Sequence, residues 1–162
     1  MIFTLAKSLT CDTKLIEFQF KIIHRTYASN SFVANFNDTV SKICPYCDVE
    51  DNIVHAFVDC IKIKQFWNDF KDFTKIVLKT PFTLTTAEII FGKLNTTYAA
   101  TNFCILHAKW FIHLNKNQQI ITFNQYKNYL RNVFTVEKQI YINNKKAEKF
   151  SKLYESYVKL LE

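Results

Sequence analysis

The stretch CPYCDVEDNIVHAFVDC, residues 44–60, decides how this chain folds. It arranges Cys44, Cys47, His55 and Cys60 in the pattern C-x2-C-x7-H-x4-C. Two cysteines separated by two residues can turn both sulfurs toward one point. A histidine and a third cysteine then complete the tetrahedron that Zn²⁺ prefers with thiolate and imidazole ligands. Because four such residues lie within 17 positions, we predict one zinc ion with these four residues as its ligands.

The spacing of His55 and Cys60 adds a constraint on the backbone. Residues five apart on an ideal α-helix are rotated by roughly 140° from each other, so their side chains cannot meet. The chain is therefore expected to loosen or turn between them. Four protein ligands leave no position for a reactive water. The predicted zinc is therefore structural, and its binding supplies on the order of 10 kcal/mol of folding free energy.

Composition favours helices around this cluster. Apolar residues make up 49% of the 162-residue chain, including 16 Phe and 8 Tyr, which is enough to form a core and argues against disorder. One Gly and two Pro are too few for folds that need many turns at positive φ. The fold class predicted is mainly α: a small helical domain with a CCHC zinc turn between helices and a C-terminal helical arm.

Apolar periodicity and capping signals divide the chain into three parts. Residues 1–11 are expected to form a loose leader, 12–118 the helical zinc-binding domain and 119–162 the C-terminal helical arm. Local signals within these parts predict a helix from a cap at Asp12 to about Tyr27, a capping box at Thr85, a helix end at Gly92 and a break at Asn143-Asn144.

The cysteine count and the N-terminus indicate a reducing compartment. There are five cysteines, an odd number, and Met1–Thr10 lacks the sustained apolar run of a signal peptide. No uncharged apolar run reaches the roughly 18 residues that a membrane span requires. We therefore expect an intracellular protein of the nucleus or cytoplasm, whose cysteines are metal ligands or buried thiols rather than disulfides.

The net charge of +7 has two interpretations. Residues 81–162 carry eleven Lys/Arg against five Asp/Glu, whereas residues 1–80 carry ten against nine. Such an excess is typical of a partner that is anionic, most often nucleic acid. Nineteen of the 21 basic residues are Lys, however, and the chain is rich in amino acids with A/T-rich codons. Genome base composition alone could produce the same skew.

Other reactive side chains form weaker patterns. Cys104 and His107 lie three residues apart on a predicted helix, with His113 beyond them, but a second zinc site would lack a fourth ligand. A Cys–His nucleophile there would lack an oxyanion hole and an orienting carboxylate. His24 is expected to be a packed or surface histidine. We predict that the chain is not an enzyme and has no small-molecule substrate.

The zinc cluster and its surroundings resemble a known family. The helix segment Leu15–His24 followed by the Cys-Pro-Tyr-Cys turn is similar to the zinc-binding region after the polymerase core of non-LTR (LINE-type) retrotransposon reverse transcriptases. The pair Glu50-Asp51 and the pair Phe66-Trp67 fit that region. The later segments around Tyr126–Leu130, Glu137 and Lys149-Phe150 are similar to its terminal helices, so that the resemblance covers roughly residues 12–160.

The resemblance implies a module that helps a retroelement polyprotein to hold RNA or DNA during target-primed reverse transcription. The four zinc ligands carry over, but no polymerase residue does, since the chain has no Tyr-x-Asp-Asp motif. Ile61 stands where the family usually has Pro, and Asp48 where Gly is common. The chain is accordingly expected to be a fragment, an exon or a decayed copy, and the rest of the polyprotein is an expected partner.

Two hypotheses about function remain open at this stage. The first is a nucleic-acid-binding zinc module, in which the phosphate contacts come from four basic residues near the zinc turn: Lys14, Lys21, Arg25 and Lys42. The second is a zinc-stapled helical module that binds protein, or an inert retroelement remnant. Salt-dependent affinity for RNA or DNA would separate them, because phosphate contacts release counterions.

Overall fold

The computed structural model describes residues 5–161, and these residues are mainly helical, as predicted. The helices are α1 (Leu5–Leu9), α2 (Thr13–Ile23), α3 (Asn30–Val33), α4 (Ile61–Leu78), α5 (Thr86–Phe91), α6 (Ala99–Leu114), α7 (Phe123–Asn143) and α8 (Ala147–Leu161). A π-helical turn covers His55–Asp59, and a 3₁₀ turn covers Thr96–Tyr98. Within the same residues there is no β-strand, only an isolated bridge between Ile43 and Glu50.

Helix α6 forms the centre of the molecule. Its residues 101–109 are buried without interruption, and the helix packs against α1, α2, α7 and α8. A helix that is buried on every side has to be covered by other helices, and these four provide that cover. No helix in the described part of the chain is long and apolar enough to cross a bilayer.

The C-terminal helices belong to the same hydrophobic core. Helices α7 and α8 pack against each other and against α4 and α6. The fully buried Tyr126 donates its hydroxyl hydrogen to the Cys104 carbonyl at 2.7 Å, and the Tyr157 hydroxyl lies 2.7 Å from that of Thr101. The segment that we expected to be an arm therefore completes the core around α6.

Local sequence signals placed several helix ends correctly. Asp12 caps α2 by accepting the Lys14 amide at 2.9 Å. Thr85 and Glu88 form the predicted capping box of α5, which ends at Gly92 with φ of 85°. Helix α7 ends at Asn143 and α8 begins four residues later, as the Asn143-Asn144 break predicts.

Two expectations near the N-terminus need correction. The segment 1–11 is not loose throughout, because α1 lies within it and buries Ala6 and Leu9; residues 1–4 lie outside the described part. Helix α2 ends at Ile23 rather than Tyr27, because Arg25 takes a left-handed conformation with φ of 59°. Arg25 therefore lies beyond the helix, and the buried Tyr27 turns into the core.

Candidate metal centre

A tight turn presents the first two cysteines. The Cys44 amide donates to the Val49 carbonyl at 2.8 Å, and the Asp48 amide donates to the Cys44 carbonyl at 3.1 Å. The bridge between Ile43 and Glu50 closes the base of this turn. Asp48 takes the left-handed region with φ of 55°. This backbone reverses the chain so that the Cys44 and Cys47 thiols face the same space.

A single π-helical turn brings His55 and Cys60 to the same side of the chain. The Cys60 amide donates to the His55 carbonyl at 3.0 Å, an i→i+5 hydrogen bond. This hydrogen bond closes one helical turn over five residues, which brings the first and the last side chain to the same side. In an α-helix, side chains five residues apart point in directions that differ by roughly 140°. Cys60 itself is extended, with ψ of 132°, and α4 begins directly after it. The predicted loosening between the two residues is thus confirmed.

The four side chains converge on one point. Their ligand atoms all lie within 4.8 Å of one another, and the Cys47 and Cys60 sulfurs are 3.6 Å apart. In a tetrahedral site with Zn–S bonds of about 2.3 Å, two sulfurs are separated by about 3.8 Å. All three cysteines are free thiols. The cluster could therefore hold a metal ion with little rearrangement, and its donor set suits zinc.

The burial of His55 and the cysteines favours the binding of a cation at this site. The Nε2 atom of His55 is buried without a hydrogen-bond partner, which is costly for a polar atom unless something binds it. Desolvation raises the pKa of Cys60 to about 12, and Cys44 and Cys47 add to this effect. The Ile61 amide already donates to the Cys47 sulfur at 3.3 Å. A metal ion would bind the free imidazole nitrogen and stabilise the thiolates.

The π-helical turn that positions His55 and Cys60 packs against the hydrophobic core. Phe57, inside the π-helical turn, is 1% exposed, and its ring lies 5.7 Å from that of Phe18 and 4.8 Å from that of Tyr27. The Trp67 indole donates to the Phe57 carbonyl at 2.8 Å. These contacts fix the position of His55 and Cys60 relative to α2 and α4.

A cleft of about 210 Å³ borders the cluster at Cys44 and Cys60. The Lys62 ammonium lies 3.8 Å from the centroid of the Tyr46 ring and donates to the Lys116 carbonyl at 2.9 Å. Burial lowers the pKa of His113 in the wall of the cleft, and Lys116 and Lys21 lower it further. Lys62 and Lys116 thus line one cleft beside the Cys₃His cluster, together with Asp51. Sequence reasoning overlooked both lysines.

The four residues expected to contact phosphate are all exposed. Lys14 and Lys21 both lie on α2, whereas Arg25 follows its end. Lys21 forms an ion pair with Glu17 at 2.7 Å in which both side chains are at least half exposed, and such a pair is weak. The Lys42 carbonyl accepts a hydrogen bond from the Asp51 amide at 2.8 Å, so the backbone of Lys42 belongs to the loop that carries Cys44 and Cys47.

The remaining reactive side chains have other surroundings. Cys104 is fully buried, and the Nδ1 atoms of His107 and His113 each lie 2.9 Å from a tyrosine hydroxyl. The exposed His24 packs its ring against Phe20. Among residues 5–161, the Cys44 cluster is the group of metal-ligating side chains that comes together.

The chain matches no known family model, and comparison with curated proteins and with solved structures gave no match either. Its resemblance to the LINE-type zinc-binding region stays a prediction from the residues quoted for it.

Proposed function

We propose that the Cys₃His cluster binds one structural zinc ion. The support is the convergence of four buried or half-buried ligand atoms within 4.8 Å, together with the unpartnered Nε2 atom of His55. Four protein ligands would fill a tetrahedral site, so the metal has a folding and positioning role rather than a catalytic one. We extend this to the chain as a whole and propose a non-catalytic module.

We further propose that the module binds RNA or DNA through the phosphate backbone. The observation that carries this proposal is the pair of lysines, Lys62 and Lys116, in the wall of the cleft beside the Cys₃His cluster. Lys21 is close enough to His113, in the same wall, to lower its pKa. Arg25 and Lys42, which lie in sequence between α2 and the cysteine turn, are exposed as well. The resemblance to the zinc-binding region of retrotransposon reverse transcriptases supports this partner and suggests a retroelement origin.

Affinity measured against salt concentration tests the proposal. Fluorescence anisotropy with a labelled 20-nucleotide RNA and the matching DNA duplex should give a log–log slope of about −0.7 to −0.9 per neutralised phosphate. The double variant Lys21→Ala/Arg25→Ala should weaken binding on all sequences and flatten the slope. Both residues are exposed, so folding should be preserved.

A matched control uses two exposed lysines on α7 and α8. The variant Lys138→Ala/Lys152→Ala removes the same charge away from the metal-binding turn and should change affinity much less. If this control loses as much affinity as Lys21→Ala/Arg25→Ala, the surface is wrongly assigned. If wild-type protein binds neither probe at low salt, the nucleic-acid proposal is refuted.

A protein-binding role is the second candidate, and one observation favours it. Four large apolar side chains between residues 36 and 61, the stretch of sequence that contains the cluster, are exposed by 41% to 79%: Phe36, Ile43, Val49 and Ile61. Exposed apolar surface, where it is contiguous, often marks an interface. Binding through them would depend little on salt, so the same titrations distinguish this role from phosphate binding.

The non-catalytic role has its own test. Primer extension and nicking assays with purified, zinc-loaded protein should show no activity above buffer. Activity that survives purification and is abolished by a point substitution in this chain would contradict the proposal.

A further inference from the structure

The cleft beside the Cys₃His cluster extends beyond the position that a metal ion would take. Of the four metal-ligating residues, Cys44 and Cys60 line the cleft, whereas Cys47 and His55 do not. Its volume of about 210 Å³ is larger than a bare ion needs, yet it is below the roughly 300–1,000 Å³ of pockets that hold drug-sized ligands. The cleft therefore has room for a single ring system.

Apolar side chains form the base of this cleft. Ile63 on α4, Ile112 on α6 and Ile121 just before α7 line it, and each is at most 5% exposed. Side chains that are buried this deeply lie at the base of an open cleft rather than at its rim. Such a base suits the face of a flat aromatic ring, which gains free energy when it leaves water.

Two asparagines provide polar groups that suit the edge of a nucleobase. Asn30 and Asn117 line the cleft, and each carries an amide that can donate and accept hydrogen bonds at the same time. Side-chain amides of this kind form paired hydrogen bonds with base edges in complexes of proteins with nucleic acids. Neither asparagine is buried, so both are accessible to a ligand.

The charges of the cleft favour a phosphate group. Lys62 and Lys116 are its basic residues, and Asp51 is its acidic one. A carboxylate oxygen of Asp51 already accepts the Asn30 backbone amide at 3.2 Å. The Lys62 ammonium donates to the Lys116 carbonyl at 2.9 Å, which holds its charge at the cleft. Because an ammonium group has three donors, Lys62 can still donate to a phosphate oxygen.

We propose that this cleft binds one unpaired nucleotide of a single-stranded RNA or DNA. The base packs on the apolar residues and bonds to Asn30 and Asn117, while Lys62 and Lys116 contact its phosphate. This inference rests on the proposed nucleic-acid-binding function and deepens it. A base inside a duplex is paired and stacked, and moving it into a protein pocket costs free energy. The preferred partner is therefore a single strand.

Two single strands with equal phosphate charge test this proposal on the zinc-loaded full chain. One is a labelled 12-nucleotide DNA of mixed sequence, and the other has an abasic residue at every position. The strand with bases should bind at least about fivefold more tightly in fluorescence anisotropy, which is the lower limit for one base contact. Equal affinity would overturn the inference and leave the phosphate-backbone proposal standing. If neither strand binds at low salt, the proposed nucleic-acid function fails, and this inference fails with it.

A substitution at the cleft locates the base. Ala28 lines the cleft and is exposed, so Ala28→Leu should narrow the cleft without disturbing the core. The preference for the strand with bases should fall below about twofold, while affinity for the abasic strand stays unchanged because both lysines remain. Ala147→Leu, at an exposed position of α8 outside the cleft, is the matched control and should keep the wild-type preference. A preference that survives in Ala28→Leu, or that is lost equally in the control, would overturn the assignment.

A second variant tests the phosphate contact by itself. Lys116 is exposed, so Lys116→Ala should preserve folding. It should weaken binding of both strands alike and make the log–log salt slope shallower by about 0.7, the value for one phosphate of a single strand. Lys138→Ala, at an exposed position of α7, should leave the slope unchanged. The same slope in Lys116→Ala as in wild type would overturn the placement of the phosphate at this cleft.

Discussion

Removal of the proposed zinc ion should lower the stability of the folded protein, and the size of this effect follows from the linkage between binding and folding. A ligand that binds only the folded state at a free concentration of 1,000 times its dissociation constant stabilises that state by about 4.1 kcal/mol. For a chain of 162 residues, each kcal/mol shifts the melting temperature by about 2–4 °C. Buffering free zinc at that level, compared with excess chelator, should therefore raise the melting temperature by about 8–16 °C.

The structure also predicts which part of the protein responds. Without a metal, His55 keeps a buried nitrogen with no partner, and nothing holds the Cys44–Cys47 turn against the π-helical turn. Phe57 and Trp67, however, remain buried in the core around α4. Most of the helical circular dichroism at 20 °C should therefore survive chelation, while the transition on heating moves down.

Two single-cysteine variants make this experiment specific. Cys60→Ser removes a buried ligand and should abolish the dependence of the melting temperature on zinc. Cys11→Ser changes an exposed cysteine outside the cluster and should respond to zinc like wild type. A wild-type melting temperature that is the same in buffered zinc and in chelator would refute the metal site, as would a zinc response that survives in Cys60→Ser.

Three further predictions concern backbone strain and burial. Gly92→Ala should lower stability by about 1–2 kcal/mol in denaturant titrations, because φ is +85° and a Cβ would lie 2.5 Å from the Leu5 side chain; unchanged stability would contradict this. Asp48→Gly should raise stability by up to about 1 kcal/mol, since φ is 55°, whereas Asp38→Gly, a control without positive φ, should not. Burial lowers the pKa of Lys109 from 10.5 to about 7. Between these two pH values the unfolded chain binds more protons than the folded protein. The contribution of Lys109 therefore makes the free energy of unfolding rise with pH from about 7 to about 10.5. The difference in unfolding free energy between wild type and Lys109→Met should change over that pH range, and a constant difference would contradict the assignment.

Features encoded over a few residues could be predicted from the sequence. The capping box at Thr85, the helix end at Gly92 and the convergence of the cysteines all depend on neighbours within about 17 positions. The end of α2 could not be predicted, because Arg25 gives no sign that it will adopt a left-handed conformation. In a chain with one glycine, such conformations fall to residues that normally avoid them.

Contacts between residues that are far apart in the sequence could not be predicted, for a different reason. Lys109 looks like a surface residue in the sequence, yet its ammonium lies 2.5 Å from the Gln19 side-chain oxygen, 90 positions away. Asp12, His107 and Glu137 line one cleft only because the start of α2 packs beside α6 and α7. No pattern of neighbouring residues in the sequence predicts how these helices pack.

The π-helical turn at His55–Asp59 bears on how this site could tolerate insertions and deletions. Its hydrogen bond spans five residues instead of the four of an α-helix, which allows a spacing of five to bring His55 and Cys60 together. Deleting Asp59 would leave a spacing of four, which an ordinary α-helical turn places on one face. A segment one residue shorter is therefore expected to keep the histidine and the cysteine on the same side of the chain. A sequence pattern written for this kind of site should therefore allow an interval of four or five positions from the histidine to the last cysteine.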